Sequence, residues 1–208
     1  TQQETVEQMK PGDFAPRGLA LVISAPSGTG KSSITKGVLA ANERCVMSVS
    51  CTTRSPREGE QDGTDYFFVS RDEFEQKTQD GELVEWAEFA GNCYGTPRAF
   101  VERIKAHGGV VILDIDIQGA TQIRRTMPEA VMLFVAPPSR SAIEQRLRDR
   151  GTETEEAIQK RLSRIPEELT AAKDYDYLVW NDDLDDAIKH VLEIIDVESR
   201  RTSRMDLD

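Results

Sequence analysis

Leu19-Ala-Leu-Val-Ile-Ser-Ala-Pro-Ser-Gly-Thr-Gly-Lys-Ser-Ser33 is the stretch of the chain that decides the fold. An apolar run leads into a short loop with two glycines, and a lysine and two serines then open a helical stretch. In such a loop, backbone N–H groups converge on phosphate oxygens, and the helix N-terminus adds positive potential. Because Lys31 can neutralise terminal phosphates and Ser32 can offer a hydroxyl to Mg²⁺, the stretch predicts a nucleotide-binding P-loop. An ordinary strand–turn–helix junction is the alternative.

The glycines of this loop decide whether its backbone path can form. Gly28 and Gly30 permit the tight turn, whereas Ala25 replaces the first glycine of the usual pattern. Alanine is small, so we expect the loop to keep its shape. The predicted ATP contacts run along the whole loop: Ala25, Pro26, Ser27, Gly28, Thr29, Gly30, Lys31, Ser32 and Ser33.

Composition narrows the class of protein. Of the 208 residues, 38% are hydrophobic and 30% are charged, a balance typical of a soluble globular protein. No apolar stretch reaches the length that crosses a membrane, so no membrane partner is expected. The formal net charge of −11 argues against a nucleic-acid partner, although a local arginine cluster can still bind small anions. The composition leaves a homo-oligomer open.

Cysteine and histidine usage predicts a cytoplasmic protein without a zinc site. Cys45, Cys51 and Cys93 lack metal-ligand spacing, and an odd number of cysteines without a secretory signal predicts reduced thiols. The two histidines are not paired at helical spacing, so a histidine-based zinc site is not expected. Residues 1–17 are polar and mildly acidic, and we expect them to form a flexible leader.

Apolar runs and helical periodicities alternate along the chain. Strands are predicted at residues 19–24, 46–50, 110–115, 131–135 and 177–180. Helices are predicted at residues 31–42, 97–106, 140–148, 154–172 and 184–199. Pro166 should kink or interrupt the fourth helix. The order implies an α/β fold in which a parallel sheet carries helices on both faces.

Two segments interrupt this alternation. Residues 51–96 contain short alternating stretches at 65–69 and 83–89, broken by glycines, and predict a small mixed α/β lobe. Residues 146–165 are dense in charge, which fits either a solvated helix face or a short helical lid over a nucleotide. The P-loop core then comprises residues 18–50, 97–145 and 166–208.

The stretch Ser50-Cys-Thr-Thr-Arg-Ser-Pro-Arg57 places two arginines on either side of a proline turn. The planar guanidinium groups of Arg54 and Arg57 suit bidentate capture of a phosphate dianion. Tyr66 follows a glycine-rich loop, and its phenol could donate to the same phosphate. Paired surface arginines are common, so this stretch alone is a weak indication.

Glu85 lies within the apolar alternation of residues 83–89. Either it is the outward-facing residue of a half-buried strand, or it recognises a base. Guanine presents adjacent N1–H and N2–H donors that one carboxylate can accept together, whereas adenine lacks this pair. In the second interpretation, the hydroxyls of Ser50 and Thr96 complete the base site.

The apolar run at 110–115 ends in Asp114 and Asp116, which have the same parity and so project from one face. The carboxyl end of this strand should lie near the P-loop, where a metal-bound nucleotide would sit. These acids could hold a magnesium-bound water or a substrate hydroxyl. Alternatively, they cap the following helix.

Taken in order, these stretches resemble the guanylate kinases, a family of nucleoside monophosphate kinases. The resemblance runs from about residue 18 to the last helix. Besides the P-loop and Ser50-Cys-Thr-Thr-Arg-Ser-Pro-Arg57, its distinctive pieces are Asp65-Tyr66, Glu85-Trp86, Tyr94-Gly-Thr96, Leu113-Asp-Ile-Asp-Ile-Gln-Gly119, Arg150-Gly-Thr-Glu-Thr-Glu-Glu156 and Asn181-Asp-Asp183. The ordered set is specific, whereas the P-loop alone indicates only a nucleotide.

The resemblance implies the reaction ATP + GMP ⇌ ADP + GDP, with Mg²⁺ as cofactor and dGMP as a further acceptor. It implies a GMP-binding lobe at 51–96 and a lid at 146–165. The implied GMP contacts are Ser50, Glu85 and Thr96 for guanine, Arg54, Arg57, Tyr66 and Tyr94 for the phosphate, and Asp114 and Asp116 between acceptor and metal. The implied catalytic cations are Lys31, Arg57, Arg150 and Arg161, and Asn181 and Asp182 would lie near the adenine of ATP.

Two other classes of protein share parts of this pattern. Asp116-Ile-Gln-Gly119 fits the Asp-x-x-Gly pattern of regulatory GTPases, but no Asn-Lys-x-Asp sequence is present to read a bound guanine. Non-catalytic guanylate-kinase-like modules lose phosphate-loop residues, whereas Lys31 and Ser32 are present here. The sequence therefore favours the enzyme.

Overall fold

The computed structural model describes residues 17–149 and 154–205. Two predictions fall outside these ranges. The first is the flexible leader, of which only Arg17 is described, and the second is the catalytic role of Arg150.

The core strands follow the predicted order, whereas the helix at Ile117–Thr126 is not among the predicted ranges. The strands are β1 (Leu19–Ser24), β2 (Cys45–Met47), β3 (Cys51–Thr52), β4 (Phe67–Phe68), β5 (Leu83–Phe89), β6 (Asn92–Pro97), β7 (Val110–Asp114), β8 (Val131–Ala136) and β9 (Tyr177–Trp180). The helices are α1 (Lys31–Ala41), α2 (Arg71–Gln79), α3 (Arg98–Ala106), α4 (Ile117–Thr126), α5 (Arg140–Asp149), α6 (Glu155–Thr170) and α7 (Leu184–Ser199). Short 3₁₀ turns lie at Ala171–Asp174 and Thr202–Arg204.

A five-stranded parallel sheet forms the centre of the core, in the spatial order β2-β7-β1-β8-β9. Alternate residues of β1 face opposite sides, as the pleat of a strand requires. Leu21 packs in one apolar cluster with Ile34 of α1 and Val191 of α7. Val22 packs in a second cluster with Val101 of α3, and α4 contributes to the same cluster. The predicted parallel sheet with helices on both faces is confirmed.

Parallel pairing brings the P-loop and the acidic stretch to one edge of this sheet. β1 pairs with β7 in a register that sets Ile23 opposite Asp114. Both strands therefore end at the same edge, where the loop after β1 and the acids after β7 become neighbours. This is the edge at which ligands bind in open parallel sheets.

Residues 51–96 form a separate mixed sheet with one helix, as predicted. The order of its strands is β4-β3-β6-β5, with β3 and β4 parallel and the other pairs antiparallel. Phe74 of α2 packs against Cys51, Leu83 and Cys93 in a small core of its own. Because its apolar core is distinct, we refer to this sheet and α2 as the lobe.

Helices α5 and α6 pack on each other through a third buried cluster: Ile143, Leu147, Ile158, Leu162 and Ile165. The predicted lid limits at 146 and 165 fall inside these helices. Pro166 was predicted to kink or interrupt the helix at 154–172, and it does not interrupt α6, which runs through it to Thr170. Proline removes one backbone donor, but the buried face of α6 continues up to Ile165 and Thr170 Oγ1 donates to Pro166 O at 2.8 Å.

The strand predicted at 46–50 is shorter than expected. β2 ends at Met47, although Ser48 N still donates to Ile112 O of β7 at 2.9 Å. The next residues leave the core sheet because the chain crosses to the lobe, where β3 begins at Cys51. None of the helices in the described ranges is long and apolar enough to cross a membrane.

Candidate active site

The loop between β1 and α1 has the backbone geometry that its glycines predicted. Gly28 and Gly30 have φ angles of 84° and 96°, in the left-handed region that side chains disfavour. A Cβ atom on Gly30 would lie 2.4 Å from Nδ2 of Asn181. Ala25 is half-buried against the core, and among the described residues other than glycine only Ala90 has a positive φ. The loop thus accommodates alanine at its first position.

Two side chains hold the P-loop from beneath through the carbonyl of Thr29. Nδ2 of Asn181 donates to Thr29 O at 2.6 Å, and Nη1 of Arg146 donates to the same oxygen at 3.0 Å. Arg146 Nη2 also donates to Asn181 O at 3.1 Å. Asn181 is only 4% exposed, and its Oδ1 is buried without a hydrogen-bond partner among the described residues. Sequence reasoning assigned no site role to Arg146, whose only signal was its place in the arginine run.

Lys31 connects the P-loop to the strand end that carries the acids. Its ammonium group forms an ion pair with Asp114 and donates to Ile115 O at 3.1 Å. Ser24 Oγ donates to the same carbonyl at 3.0 Å. The residue after β7 is therefore bonded to the start of α1 through Lys31 and to the end of β1 through Ser24.

Asp114 and Asp116 have different surroundings, and only the capping interpretation can be compared directly with the structure. Asp114 faces the P-loop lysine. Asp116 is the N-cap of α4, and its Oδ1 accepts from Gly119 N at 2.9 Å. The capping alternative is thus confirmed for Asp116 alone.

Glu85 and Thr96 face each other across the antiparallel β5–β6 pair. Glu85 is 8% exposed and Thr96 is fully buried. Burial raises the pKa of Glu85, the hydrogen bond from Thr96 opposes the rise, and the charge of Asp116 adds to it. The interpretation of Glu85 as an outward-facing strand residue is therefore wrong. Its side chain is a buried carboxylate that can accept two donors.

The proposed phosphate arginines converge on Glu60, a residue that sequence reasoning missed. Nη2 of Arg54 donates to Oε1 and Oε2 of Glu60 at 2.9 and 3.0 Å. The backbone N–H of Arg57 donates to Oε2 at 2.8 Å. Arg54 lowers the pKa of Glu60 below its ordinary value through this hydrogen bond. One carboxylate therefore holds the guanidinium group of Arg54 and the backbone of Arg57.

Aromatic rings complete the surroundings of Arg54. Its guanidinium carbon lies 5.4 Å from the ring centre of Tyr66 and 5.9 Å from that of Phe68, within the range of cation–π contact. The Tyr66 and Tyr94 rings meet edge to face at 6.1 Å. Both tyrosines expected at the phosphate are thus brought to the same arginine.

The α5–α6 unit reaches the P-loop through Arg161, whose Nη1 donates to the hydroxyl of Ser27. Ser32 is exposed at the first turn of α1. Ser50 is half-buried at the entrance to β3, and its carbonyl accepts from Phe67 N at 2.9 Å. Asp182 is exposed two residues after the end of β9, and its Oδ1 accepts from Asp183 N at 3.1 Å. These positions leave the roles predicted for the four residues open.

Comparison with known proteins gives one consistent match. A family model described as guanylate kinase matches residues 17–198. A guanylate kinase of Parasynechococcus marenigrum is 52% identical over 171 residues, which cover 82% of this chain and 94% of the relative. A guanylate kinase of Symbiobacterium thermophilum is 48% identical over 189 residues, which cover 91% of this chain and 90% of the relative.

A solved structure agrees with these sequence matches. The crystal structure of guanylate kinase from Anaplasma phagocytophilum is similar to this chain with a TM-score of 0.69 and 34% sequence identity. The match covers 92% of each chain. Fold and sequence therefore indicate the same family.

Proposed function

The chain belongs to the guanylate kinase family, and on this premise we propose how it phosphorylates GMP with ATP. The enzyme is an ATP:GMP phosphotransferase that produces ADP and GDP. In our proposal the P-loop binds ATP, the lobe binds GMP, and the α5–α6 unit acts as the lid.

The observation that supports this proposal most directly is that the segment 114–119 reaches the P-loop at one end and the lobe at the other. Asp114 pairs with Lys31 of the P-loop at one end of the stretch. At its other end, a Cβ on Gly119 would lie 3.1 Å from Oε2 of Glu85. A single short segment thus joins the proposed ATP side to the proposed base-reading carboxylate.

We assign guanine recognition to Glu85, with Thr96 and Ser50 as hydroxyl partners. A buried carboxylate accepts the N1–H and N2–H groups of guanine together. Adenine has no such pair of donors and would leave the charge of Glu85 unmatched. Arg54, Arg57, Tyr66 and Tyr94 are assigned to the phosphate of GMP, and Asp116 with Asp114 to the region between the substrates.

The transfer needs no general base, because the attacking group is already a phosphate oxyanion of GMP. Catalysis then depends on alignment and on neutralising the charge of the transferred phosphoryl group. We assign this role to Lys31 on the ATP side, Arg57 on the acceptor side, and Arg150 and Arg161 from the lid. Lid closure would exclude water and limit hydrolysis of ATP.

The donor set near the P-loop fits a magnesium ion held mainly by nucleotide. Magnesium is usually bound by one or two protein oxygens together with substrate phosphates. The exposed hydroxyl of Ser32 and the carboxylate of Asp114 are such oxygens, and the described residues contain no cluster of three or more metal ligands. When bound, the ion would neutralise the charge on the phosphates of ATP.

Two further assignments belong to this proposal. Asn181 holds Thr29 O of the P-loop, which supports assigning it, with Asp182 beside it, to the region of the adenine of ATP. Cys45, Cys51 and Cys93 are buried free thiols, which supports a place in the reducing cytosol.

A coupled assay of ATP consumption tests the assignment of acceptor and site together. We expect turnover with GMP and with dGMP, and no comparable turnover with AMP. A preference for AMP would overturn the guanine assignment of Glu85. Binding of GMP without turnover would overturn the catalytic assignment of Lys31 and the lid arginines.

A further inference from the structure

One face of α4 lies against β5, the strand that carries Glu85. Gly119, Gln122 and Thr126 are spaced three and four residues apart, so they share this face of the helix. α4 packs on the core sheet through Ala120 and Ile123, whereas β5 belongs to the lobe. The contact between them therefore links the core to the base site.

Gln122 makes a two-point contact with the backbone of Trp86, the residue after Glu85. Its Oε1 accepts from Trp86 N at 3.1 Å, and its Nε2 donates to Trp86 O at 2.8 Å. β5 is the edge strand of the lobe sheet, so these two backbone groups have no further strand to pair with. The side-chain amide of Gln122 bonds to these two backbone groups in the way that the backbone of a neighbouring strand would.

The residue before Glu85 is held by the same helix face. Thr126 Oγ1 donates to Val84 O at 2.5 Å. The backbone on both sides of Glu85 is therefore bonded to α4, while Gly119 leaves room for its carboxylate. A Cβ at Gly119 would stand only 3.1 Å from Oε2 of Glu85.

We infer that Gln122 is a positioning residue for base recognition, which holds β5 so that the Glu85 carboxylate meets both guanine donors. Gln122 itself touches no substrate in this arrangement. The inference rests on the proposed role of Glu85. A carboxylate that accepts two donors at once must be placed more accurately than one that accepts a single donor. Loss of the contact between Gln122 and Trp86 should therefore reduce the preference for GMP over a base that has only one of the two donors.

The test measures kcat/KM for GMP and for IMP with the full chain at saturating ATP. IMP lacks the 2-amino group, so the ratio of the two values reports the second hydrogen bond to Glu85. Gln122→Met keeps the length of the side chain and removes both bonds to Trp86. Gln76→Met is the matched control, because Gln76 is exposed on α2 of the lobe and its Nε2 donates to the side chain of Asp80 at 2.9 Å.

We expect Gln122→Met to lower the GMP/IMP ratio about tenfold, with the KM for ATP unchanged, and Gln76→Met to leave the ratio unchanged. In a Glu85→Gln background, Gln122→Met should lower the ratio no further, because both act through one carboxylate. A merely structural role would lower the melting temperature without changing the ratio, and that result would overturn the inference.

Two other outcomes would also decide against it. An equal fall of the ratio in both backgrounds would show that Gln122 does not act through Glu85. An unchanged ratio in Glu85→Gln alone would overturn the base-reading role itself, which is a separate failure. Should Gln122→Met not fold, Gln122→Asn repeats the measurement, since its amide is one methylene too short to reach both groups of Trp86.

Discussion

The hydroxyl of Thr96 donates a 2.6 Å hydrogen bond to Oε1 of Glu85 in the interior of the lobe. This bond holds one oxygen of a carboxylate whose pKa is raised by burial. The protein therefore orients the carboxylate of Glu85 but removes it from water, which is unfavourable for its ionised form. The effect of this carboxylate on GMP binding and its effect on stability can each be measured directly.

Replacement of Glu85 by glutamine should weaken GMP binding and stabilise the protein. The amide cannot accept both guanine donors, so we expect the KM for GMP to rise about 10- to 100-fold while the KM for ATP stays unchanged. Steady-state kinetics with each substrate varied checks this result. Glu88→Gln, on the exposed part of the same strand, is the control and should change neither constant.

The stability effect of Glu85→Gln should depend on pH in a defined direction. Because burial raises the pKa of Glu85 in the folded protein, ionisation lowers stability as the pH increases through and above the ordinary value of 4.5. The variant should therefore melt above the parent at pH 7. This difference should vanish below pH 4.5, where the carboxyl is protonated in both states, and a constant difference would contradict it.

Gly30→Ala should disrupt the P-loop. The substitution places a side chain at a φ of 96° and a Cβ atom 2.4 Å from Asn181 Nδ2, the group that holds Thr29 O. Backbone strain alone costs about 1–2 kcal/mol, and the overlap adds to it. We expect the KM for ATP to rise at least about tenfold. Gly81→Ala, at a φ of 70° with nothing within 4 Å, isolates the strain and should leave ATP binding intact.

Arg161→Ala should reduce turnover far more than binding. Arg161 reaches Ser27 of the P-loop from α6, and an arginine that neutralises a transferring phosphoryl group contributes about 10³-fold or more in rate. We expect such a loss in kcat, and the same for Arg150→Ala, with the dissociation constant for GMP within about threefold of the parent value. Near-normal turnover of either variant would refute its catalytic role.

Arg148→Ala is the matched control for the lid. This side chain is also part of the α5–α6 unit, but it pairs with Glu144 at 2.6 Å and Glu155 at 2.8 Å. Exposed pairs of this kind contribute little to stability. Its kcat should therefore remain close to that of the parent enzyme.

Glu60→Gln should raise the KM for GMP about tenfold with a smaller effect on kcat. The carboxylate orients the guanidinium group of Arg54 and the backbone of Arg57, and glutamine accepts with only one oxygen. Isothermal titration with GMP gives the affinity directly. Glu58→Gln, two residues away and exposed, should bind GMP like the parent, and equal losses in both variants would argue for a general charge effect.

The core sheet, the P-loop and the lobe could be predicted from the sequence, because each is indicated by residues that lie close together in the chain. The apolar run before Gly28 and the helical pattern after Lys31 each predict structure from neighbouring residues alone. Pro166 does not end α6, since burial of the α6 face outweighs the missing backbone donor. The roles of Glu60 and Gln122 could not be found, because single polar residues in ordinary segments carry no periodic signal.

What the sequence by itself determined is the order of the core strands, the loop after the first strand and the family to which the chain belongs. Only the tertiary structure decided that Asp114 faces Lys31 while Asp116 caps α4, and that α4 holds β5 through Gln122. The physical reason is that hydrophobic periodicity is a pattern among residues only a few positions apart in the chain. Partnerships between polar groups depend on which strand ends and helix faces meet, and that is settled only when the core and lobe pack.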